Sequence, residues 1–448
     1  MLKAGQCKAN FLLIGKSVHL SIHKIISFFT VLLIATFTLS ASHIEKASHV
    51  KMNEVDNLLN SAVLNKEVIG ISALIYDEGR VIYKNSYGLR DQERKSPVEM
   101  DTVWRIFSMT KPVTATIIMD LQEEKKLNLS DPVSQYIPEI NNMKVAKIDK
   151  NGVIKLEPQN RAITLEDLML HRSGMGYGIF GSENILTSMY ENAELFYVVD
   201  KKSGISESME EKMIKLSKLP LLFQPGEAWY YSYSMDVLGR VAEVIEGKKL
   251  GEIMDERLFK PLGMKETSFR IKQVQQKRFA SNYFKTKEGN FVLIEDGQNS
   301  PFSNPLNEFQ SGGAGLVSTI DDFSIFAKLI LDGGVYKGHR VLDEKTVDLM
   351  MEDHMGQDKP YLIPWLGPDF MSGFGYGGSV QINETTKQLA RNGKSIGHWG
   401  WSGAAGTIFW VDRKNNSFGI LMLQFLSDED PKIHDEFRAL AFNRTKNE

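Results

Sequence analysis

Val103–Leu121 reads VWRIFSMTKPVTATIIMDL, and its two halves have different periods. Val103, Trp104, Arg105 and Ile106 form an extended run, whereas beyond Ser108 the apolar residues Val113, Ile117, Ile118 and Leu121 recur at helical spacing. Pro112 is tolerated only in a first helical turn, so the helix begins at Ser108. Residues three apart on a helix share a face, which puts Lys111 within reach of the Ser108 hydroxyl. A serine hydroxyl is a poor nucleophile until a base takes its proton. Lysine serves as that base when burial or a neighbouring cation lowers its pKa. The Ser108 N–H, at the positive end of the helix dipole, would meet a developing oxyanion. Ser108 and Lys111 are therefore the candidate nucleophile and base of a serine hydrolase.

The same four-residue spacing occurs at Ser21/Lys24 and Ser48/Lys51, in or just after the N-terminal leader, so context and not the tetrapeptide singles out Ser108. The 448 residues are 42% apolar and 24% charged, an ordinary globular balance. A net charge of -3 gives no excess of positive charge for nucleic acid, and the expected partner is a small-molecule ester or amide substrate.

Lys16, His23 and Lys24 precede the uncharged run Ile25–Ala41, IISFFTVLLIATFTLSA, which closes on Ser40, Ala41 and Ser42. This is the pattern of a secretory signal peptide. The run also approaches the length of a membrane span, so an uncleaved anchor over residues 25–41 is the alternative. Residues 1–42 are expected to be leader, with the remainder exported to the periplasm or beyond and any membrane contact confined to the N-terminal segment. The single cysteine, Cys7, lies upstream of the run, so a cleaved chain would hold no disulfide, thiolate metal site or cysteine nucleophile.

Strand-like runs Ile69–Tyr76 and Val81–Tyr87 flank Asp77-Glu78-Gly79-Arg80, a hairpin turn with glycine for positive φ. Ala405–Val411 and Phe418–Phe425 form a second hairpin near the other end, before an amphipathic helix from about Pro431 to Phe442. A helix is expected over residues 53–66. The middle reads mostly as helix and loop, with capping-box spacing at Thr164–Asp167 and Ser318–Asp321, and Gly333-Gly334 as a helix stop. These runs predict an α+β fold in which both chain ends supply one antiparallel sheet, flanked by helices, around a large helical insert. The expected layout is one domain over 43–448, with a sheet part over about 53–100 and 310–448 and a helical part over 101–309.

The stretch Arg105–Pro138, RIFSMTKPVTATIIMDLQEEKKLNLSDPVSQYIP, resembles the serine β-lactamase and penicillin-recognising family, in particular its class C lactamase and family VIII carboxylesterase branch. Further likenesses follow in the family's order: Ile163–Gly174 (ITLEDLMLHRSG), Pro225–Gly239 (PGEAWYYSYSMDVLG), Ser311–Asp322 (SGGAGLVSTIDD) and Gly393–Asp412 (GKSIGHWGWSGAAGTIFWVD). The resemblance implies a catalytic tyrosine relaying protons beside the nucleophile. Tyr231 matches it, with Tyr230 and Tyr233 as rivals. It also implies a third motif on a strand lining the site. His398-Trp399-Gly400 is the favoured register, making His398 a site residue, Gly400 a close-approach position and the Trp401 N–H an oxyanion donor beside that of Ser108. Trp401-Ser402-Gly403 is the competing register.

Two departures bear on substrate. Tyr233 stands where lactamases carry the asparagine that binds the antibiotic's acylamino group, and the third motif lacks its usual lysine and threonine. Trp399, Trp401, Tyr231 and Tyr233 would instead wall a pocket for an apolar acyl or alcohol group. This favours a carboxylesterase over a β-lactamase or D-alanyl-D-alanine peptidase, with a slowly acylating sensor as a third possibility. No cofactor or metal is implied: there is no His-Glu-x-x-His and no phosphate-binding glycine loop with lysine. Gly400-Trp401-Ser402-Gly403-Ala404 fails the α/β-hydrolase elbow at its last position. His354, beside Glu352 and Asp353, reads as part of a solvated helix.

Overall fold

Turn chemistry sets the first hairpin. Gly79, at φ +77°, joins β1 (Gly70–Asp77) to β2 (Arg80–Asp91), and the short β3 (Ser96–Pro97) comes next. The C-terminal half adds β4 (Gly373–Gly375), β5 (Gly378–Val380), β6 (Trp399–Ser402), β7 (Ile408–Asp412) and β8 (Ser417–Met422). These eight strands make one sheet in the order β4-β5-β6-β7-β8-β1-β2-β3. Every pairing in it is antiparallel. The two chain ends meet at β8 and β1, where the register runs from Ser72 opposite Met422 to Tyr76 opposite Phe418. The architecture is α+β.

This computed structural model describes residues 52–77, 79–178, 185–195, 206–305, 307–355, 373–382, 397–428 and 431–442. The apolar run Ile25–Ala41 and the rest of the expected leader lie outside the described residues. Contacts divide the chain into Met1–Asn57, of which residues 52–57 are described and helical, and Leu58–Glu448.

Four helices of the larger unit frame the sheet and the site: α1 (Thr110–Glu123), α2 (Ser234–Glu246), α3 (Ile320–Leu331) and α4 (Ile433–Phe442). Successive strand side chains leave by opposite faces, so Phe409 and Trp410 of β7 point apart. Phe409 packs on Phe323 and Phe326 of α3, with ring centroids 5.0 and 6.2 Å away, while Trp410 meets Phe437 of α4 at 5.7 Å. The sheet is therefore sandwiched between α3 and α4. Helix α1 is buried on almost every side, as expected of a helix that is apolar or small all round.

The middle of the chain is less helical than its sequence suggests. Val145–Ile148 pairs with Ile154–Glu157, and Asn282–Lys285 with Phe291–Glu295. These strands are four or five residues long and three of the four include a lysine, too short a run to outweigh neighbouring helical patterns. Thr164 forms its capping box with Asp167. The second cap falls one residue later than its spacing suggested: Thr319 accepts from the Asp322 N–H at 3.3 Å, while Ser318 belongs to a strand and shares a hydrogen bond with Thr267.

Phe409 joins α3 to the sheet through Phe323, Phe326 and Trp399 and is almost wholly buried. Phe409→Ala is expected to destabilise the fold by about 3–5 kcal/mol, measured by chemical denaturation.

Candidate active site

The nucleophile turn is fixed from behind. Trp104–Arg105 pairs with Val317–Ser318, and the Ile106 N–H donates to Leu316 O at 3.1 Å. Arg105 is buried against Phe279, makes a bidentate pair with Glu295, and donates to Ala280 O at 2.6 Å. Phe107 then takes φ +43°, a left-handed conformation that non-glycine residues rarely adopt, and the turn Phe107–Met109 leads into α1. Ser108 sits half-buried in that turn.

One helical turn on, the Lys111 ammonium has three acceptors at hydrogen-bond distance. They are Ser108 Oγ at 3.2 Å, Tyr177 Oη at 3.3 Å and Gly313 O at 2.7 Å. The Lys111 Nζ also lies over the Tyr231 ring, 4.5 Å from its centroid. Burial pushes the amine down to about 7, against the opposing pull of the Asp236 charge. Asp236 is itself buried in α2 and raised by that burial. It accepts from the Ser311 hydroxyl and, at 3.3 Å, from the Gly313 N–H. Gly313 is required here, because a Cβ at this position would stand 2.4 Å from Asp236 Oδ2.

Two loops bring a pair of phenols to Ser108. Tyr230 N–H donates to His171 O at 3.0 Å, Ser232 N–H to His171 Nδ1 at 3.2 Å, and Tyr233 N–H to Gly176 O at 3.3 Å. These bonds zip residues 171–176 to residues 230–233. Tyr177 and Tyr231 consequently meet edge to face at 5.2 Å, and both hydrogen-bond Ser108. Tyr231 Oη also accepts from the Trp401 indole N–H at 3.1 Å. Burial holds both phenols above their ordinary pKa, and the buried His171 ring, 4.8 Å from Tyr231, is held well below its own. His171 is thus a neutral imidazole, accepting at Nδ1.

The structure gathers Ser108, Lys111, Tyr231 and the Trp401 side chain. Trp399 and Gly400 instead make close contacts with Phe409 of β7. Trp399 and Trp401 leave β6 by one face, so His398 and Gly400 fall on the other. Trp399 is fully buried against Phe409, with ring centroids 5.7 Å apart. A Cβ on Gly400 would meet Phe409 O at 2.2 Å, so that glycine serves packing within the sheet. Gly403 instead faces the nucleophile turn, where a Cβ would lie 2.4 Å from Ile106 O. Of the two registers, Trp401-Ser402-Gly403 is the one whose ends meet Tyr231 and the turn that carries Ser108.

The backbone donor shifts as well. The Gly403 N–H donates to Thr407 O at 2.7 Å, toward β7. Ladder groups alternate every residue, so the Trp401 N–H also faces β7 while that of Ser402 faces the other way, beyond the end of β5. Trp401 contributes its indole to Tyr231, whereas its backbone N–H, expected as an oxyanion donor, lies in the ladder with β7. Tyr233 is buried behind Tyr177, ring centroids 4.8 Å apart. Phe374 takes the wall position assigned to Trp399, packing edge-on to Trp401 at 5.4 Å and to Trp229 at 5.4 Å.

Three site residues carry little or no signal in the sequence. Tyr177 lies 66 positions from Lys111, and its one local signal is the run of small residues around it, Gly174, Gly176 and Gly178. Asp236 is a carboxylate among Met235, Val237 and Leu238 on a buried helix, a pattern that marks a functional or paired charge. His171 carries φ +51°, which only the folded loop reveals.

The Beta-lactamase family model matches residues 55–443. Among similar proteins, Rv1367c of Mycobacterium tuberculosis is 31% identical over 361 residues, covering 80% of this chain and 86% of that one. Esterase EstB of Burkholderia gladioli is 27% identical over 372 residues, with 80% and 86% covered. The solved structure of EstCE1, described as a hydrolase with promiscuous acyltransferase activity, has a TM-score of 0.72 at 24% identity, covering 88% of this chain and 99% of that one. This chain belongs to the β-lactamase family of penicillin-recognising proteins and esterases, and it is a serine hydrolase.

Proposed function

We propose that the protein is an exported carboxylesterase that forms an acyl-enzyme on Ser108. The observation that carries this reading is the Trp401 indole N–H on Tyr231 Oη, within an aromatic wall of Tyr231, Trp401, Phe374 and Trp229. An apolar wall suits an acyl or alcohol group, whereas a β-lactam carboxylate needs polar partners to be favoured over competitors. The likeness to EstB supports the same reading. The run Ile25–Ala41 supports export.

Lys111, in its neutral form, removes the Ser108 proton as Oγ bonds to the ester carbonyl carbon. The carbonyl electron pair moves to oxygen, which the Ser108 N–H and a backbone N–H from the Ser402 side of β6 receive. Tyr231, its oxygen fixed by the indole donor, steadies Ser108 Oγ through the change of charge. Collapse breaks the C–OR bond, the leaving oxygen departs as the alcohol with the proton that Lys111 had taken, and water releases the acid by the reverse sequence.

Ser108→Ala should abolish hydrolysis of a short p-nitrophenyl ester while leaving the melting temperature near that of the unmodified chain; surviving turnover refutes the nucleophile. The unmodified chain should turn over that ester with a far higher kcat/KM than a chromogenic cephalosporin, and the opposite ranking would make it a β-lactamase. Because Lys111 must be unprotonated to act, kcat/KM should rise with pH through a limb near the amine's value of about 7. Asp236→Asn removes the charge that favours the ammonium, so that limb should move to lower pH; an unmoved limb would show that Asp236 carries no charge there.

A further inference from the structure

Tyr177 is not in any of the motifs that mark the site, yet it touches both reacting partners. Its hydroxyl stands 3.3 Å from Lys111 Nζ and hydrogen-bonds Ser108, and its ring lies edge-on to Tyr231 and Tyr233. It is almost fully buried, so its orientation is set by packing and by the zipped loops. The proton inventory around Lys111 gives this contact a direction. Gly313 O can only accept, so one N–H of Lys111 is committed to it in every protonation state. In the neutral amine, the lone pair must take a hydrogen bond from Ser108, and the remaining N–H is left for Tyr177 Oη. Once Lys111 has taken the Ser108 proton, the new ammonium still donates to Tyr177. With its oxygen accepting from Lys111, the Tyr177 hydroxyl can direct its own proton toward Ser108 Oγ, beside which the leaving oxygen of a bound ester would lie. Tyr231 is engaged differently, accepting the Trp401 N–H at its oxygen and meeting Lys111 through its ring.

We propose that Tyr177 is a second catalytic phenol, the acid that protonates the leaving alcohol, reloaded by Lys111. As the tetrahedral intermediate collapses, the C–OR bond breaks and its electron pair goes to the leaving oxygen. That oxygen takes the Tyr177 proton, the phenolate takes a proton from the Lys111 ammonium, and Lys111 returns to the neutral amine. The balance closes with no further reactant. This inference rests on Ser108 being an ester-cleaving nucleophile.

The experiment compares esters of one acid that differ in leaving group, ethyl butyrate and p-nitrophenyl butyrate. An alkoxide needs a proton to leave and p-nitrophenolate does not. Tyr177→Phe should lower kcat/KM for the ethyl ester by about 100-fold or more but for the p-nitrophenyl ester by less than about tenfold, the range a general acid supplies. Tyr231→Phe should lower both by similar factors. Labelling of Ser108 by a fluorophosphonate, whose fluoride leaves unprotonated, should persist in Tyr177→Phe and reports that the Ser108–Lys111 pair is intact. Equal losses on the two esters would reduce Tyr177 to a positioning residue and overturn the proposal, as would an unchanged ethyl ester rate. If Tyr177→Phe does not fold, 3,5-difluorotyrosine at position 177 keeps the shape and acidifies the phenol. The basic limb of the ethyl ester profile should then move to lower pH, and an unmoved limb overturns the proposal. An unmodified chain that neither cleaves the aryl ester nor takes the probe would instead sink the esterase reading itself.

Discussion

An amine buried in a protein interior must be neutral or fully paired, and that constraint organises this molecule. Lys111 is 1% exposed on a helix with almost no solvent face. Desolvation penalises its charged form, while three acceptors and the Asp236 carboxylate keep that form accessible. The result is a base poised near neutral pH. Much of the surrounding architecture exists to keep water out and acceptors in. The segment Ser311–Gly313 runs between α1 and α2, offering Gly312 O to Thr114, Gly313 O to Lys111, and two donors to Asp236. A side chain at Gly312 would meet Met235 O at 2.5 Å, so this backbone passes where only glycine fits.

Ser108 is placed by strain held against a rigid frame. Left-handed φ at Phe107 is unfavourable for a residue with a side chain, and it persists because both flanks are pinned. On one flank Arg105 is clamped by Glu295, Ala280 O and the Phe279 ring, and its N–H donates to Gln424 Oε1 at 2.9 Å. On the other, Gly403 allows β6 to lie against Ile106 O, and the Thr407 hydroxyl donates to the same carbonyl at 3.3 Å. The third motif thus has two tasks. Its tryptophan reaches the phenol, and its glycine makes room for the turn that carries Ser108.

How much of this was legible depends on the range of each interaction. Ser108 and Lys111 lie three apart, so helical geometry alone joins them, and Pro112 fixes where the helix starts. The two hairpins were legible for the same reason, because alternation and turn residues are local, and the meeting of chain ends followed from strand runs confined to the two ends. Tyr231 came from the ordered motifs, since nothing in Trp229-Tyr230-Tyr231 distinguishes one ring from the next. Tyr177 was not legible because it depends on hydrogen bonds between loops distant in sequence, such as the Ser232–His171 contact with a separation of 61. The third motif misled through parity. Shifting a strand register by an odd number of residues exchanges its faces, so His398 and Trp401 cannot both line one site. Sequence offered two tryptophans and two glycines within five residues; only the partners of Gly400 and Gly403 separate them.

The cause of the lysine's depressed pKa bears on why position 401 is aromatic. Lysine's pKa can be lowered, leaving the free amine available near neutral pH, by a neighbouring cation or by burial. Here burial is the lowering cause, and the charge of Asp236 acts the other way. A base tuned by desolvation gains nothing from a second cation on the facing strand and is better served by an apolar one. Trp401 meets that need: its ring extends the wall formed by Tyr231 and Phe374, while its single N–H fixes the Tyr231 oxygen without adding charge. The same exchange removes a partner for an anionic substrate. Tuning of the amine and the proposed preference for a neutral ester therefore trace to one choice, an aromatic strand facing a buried lysine.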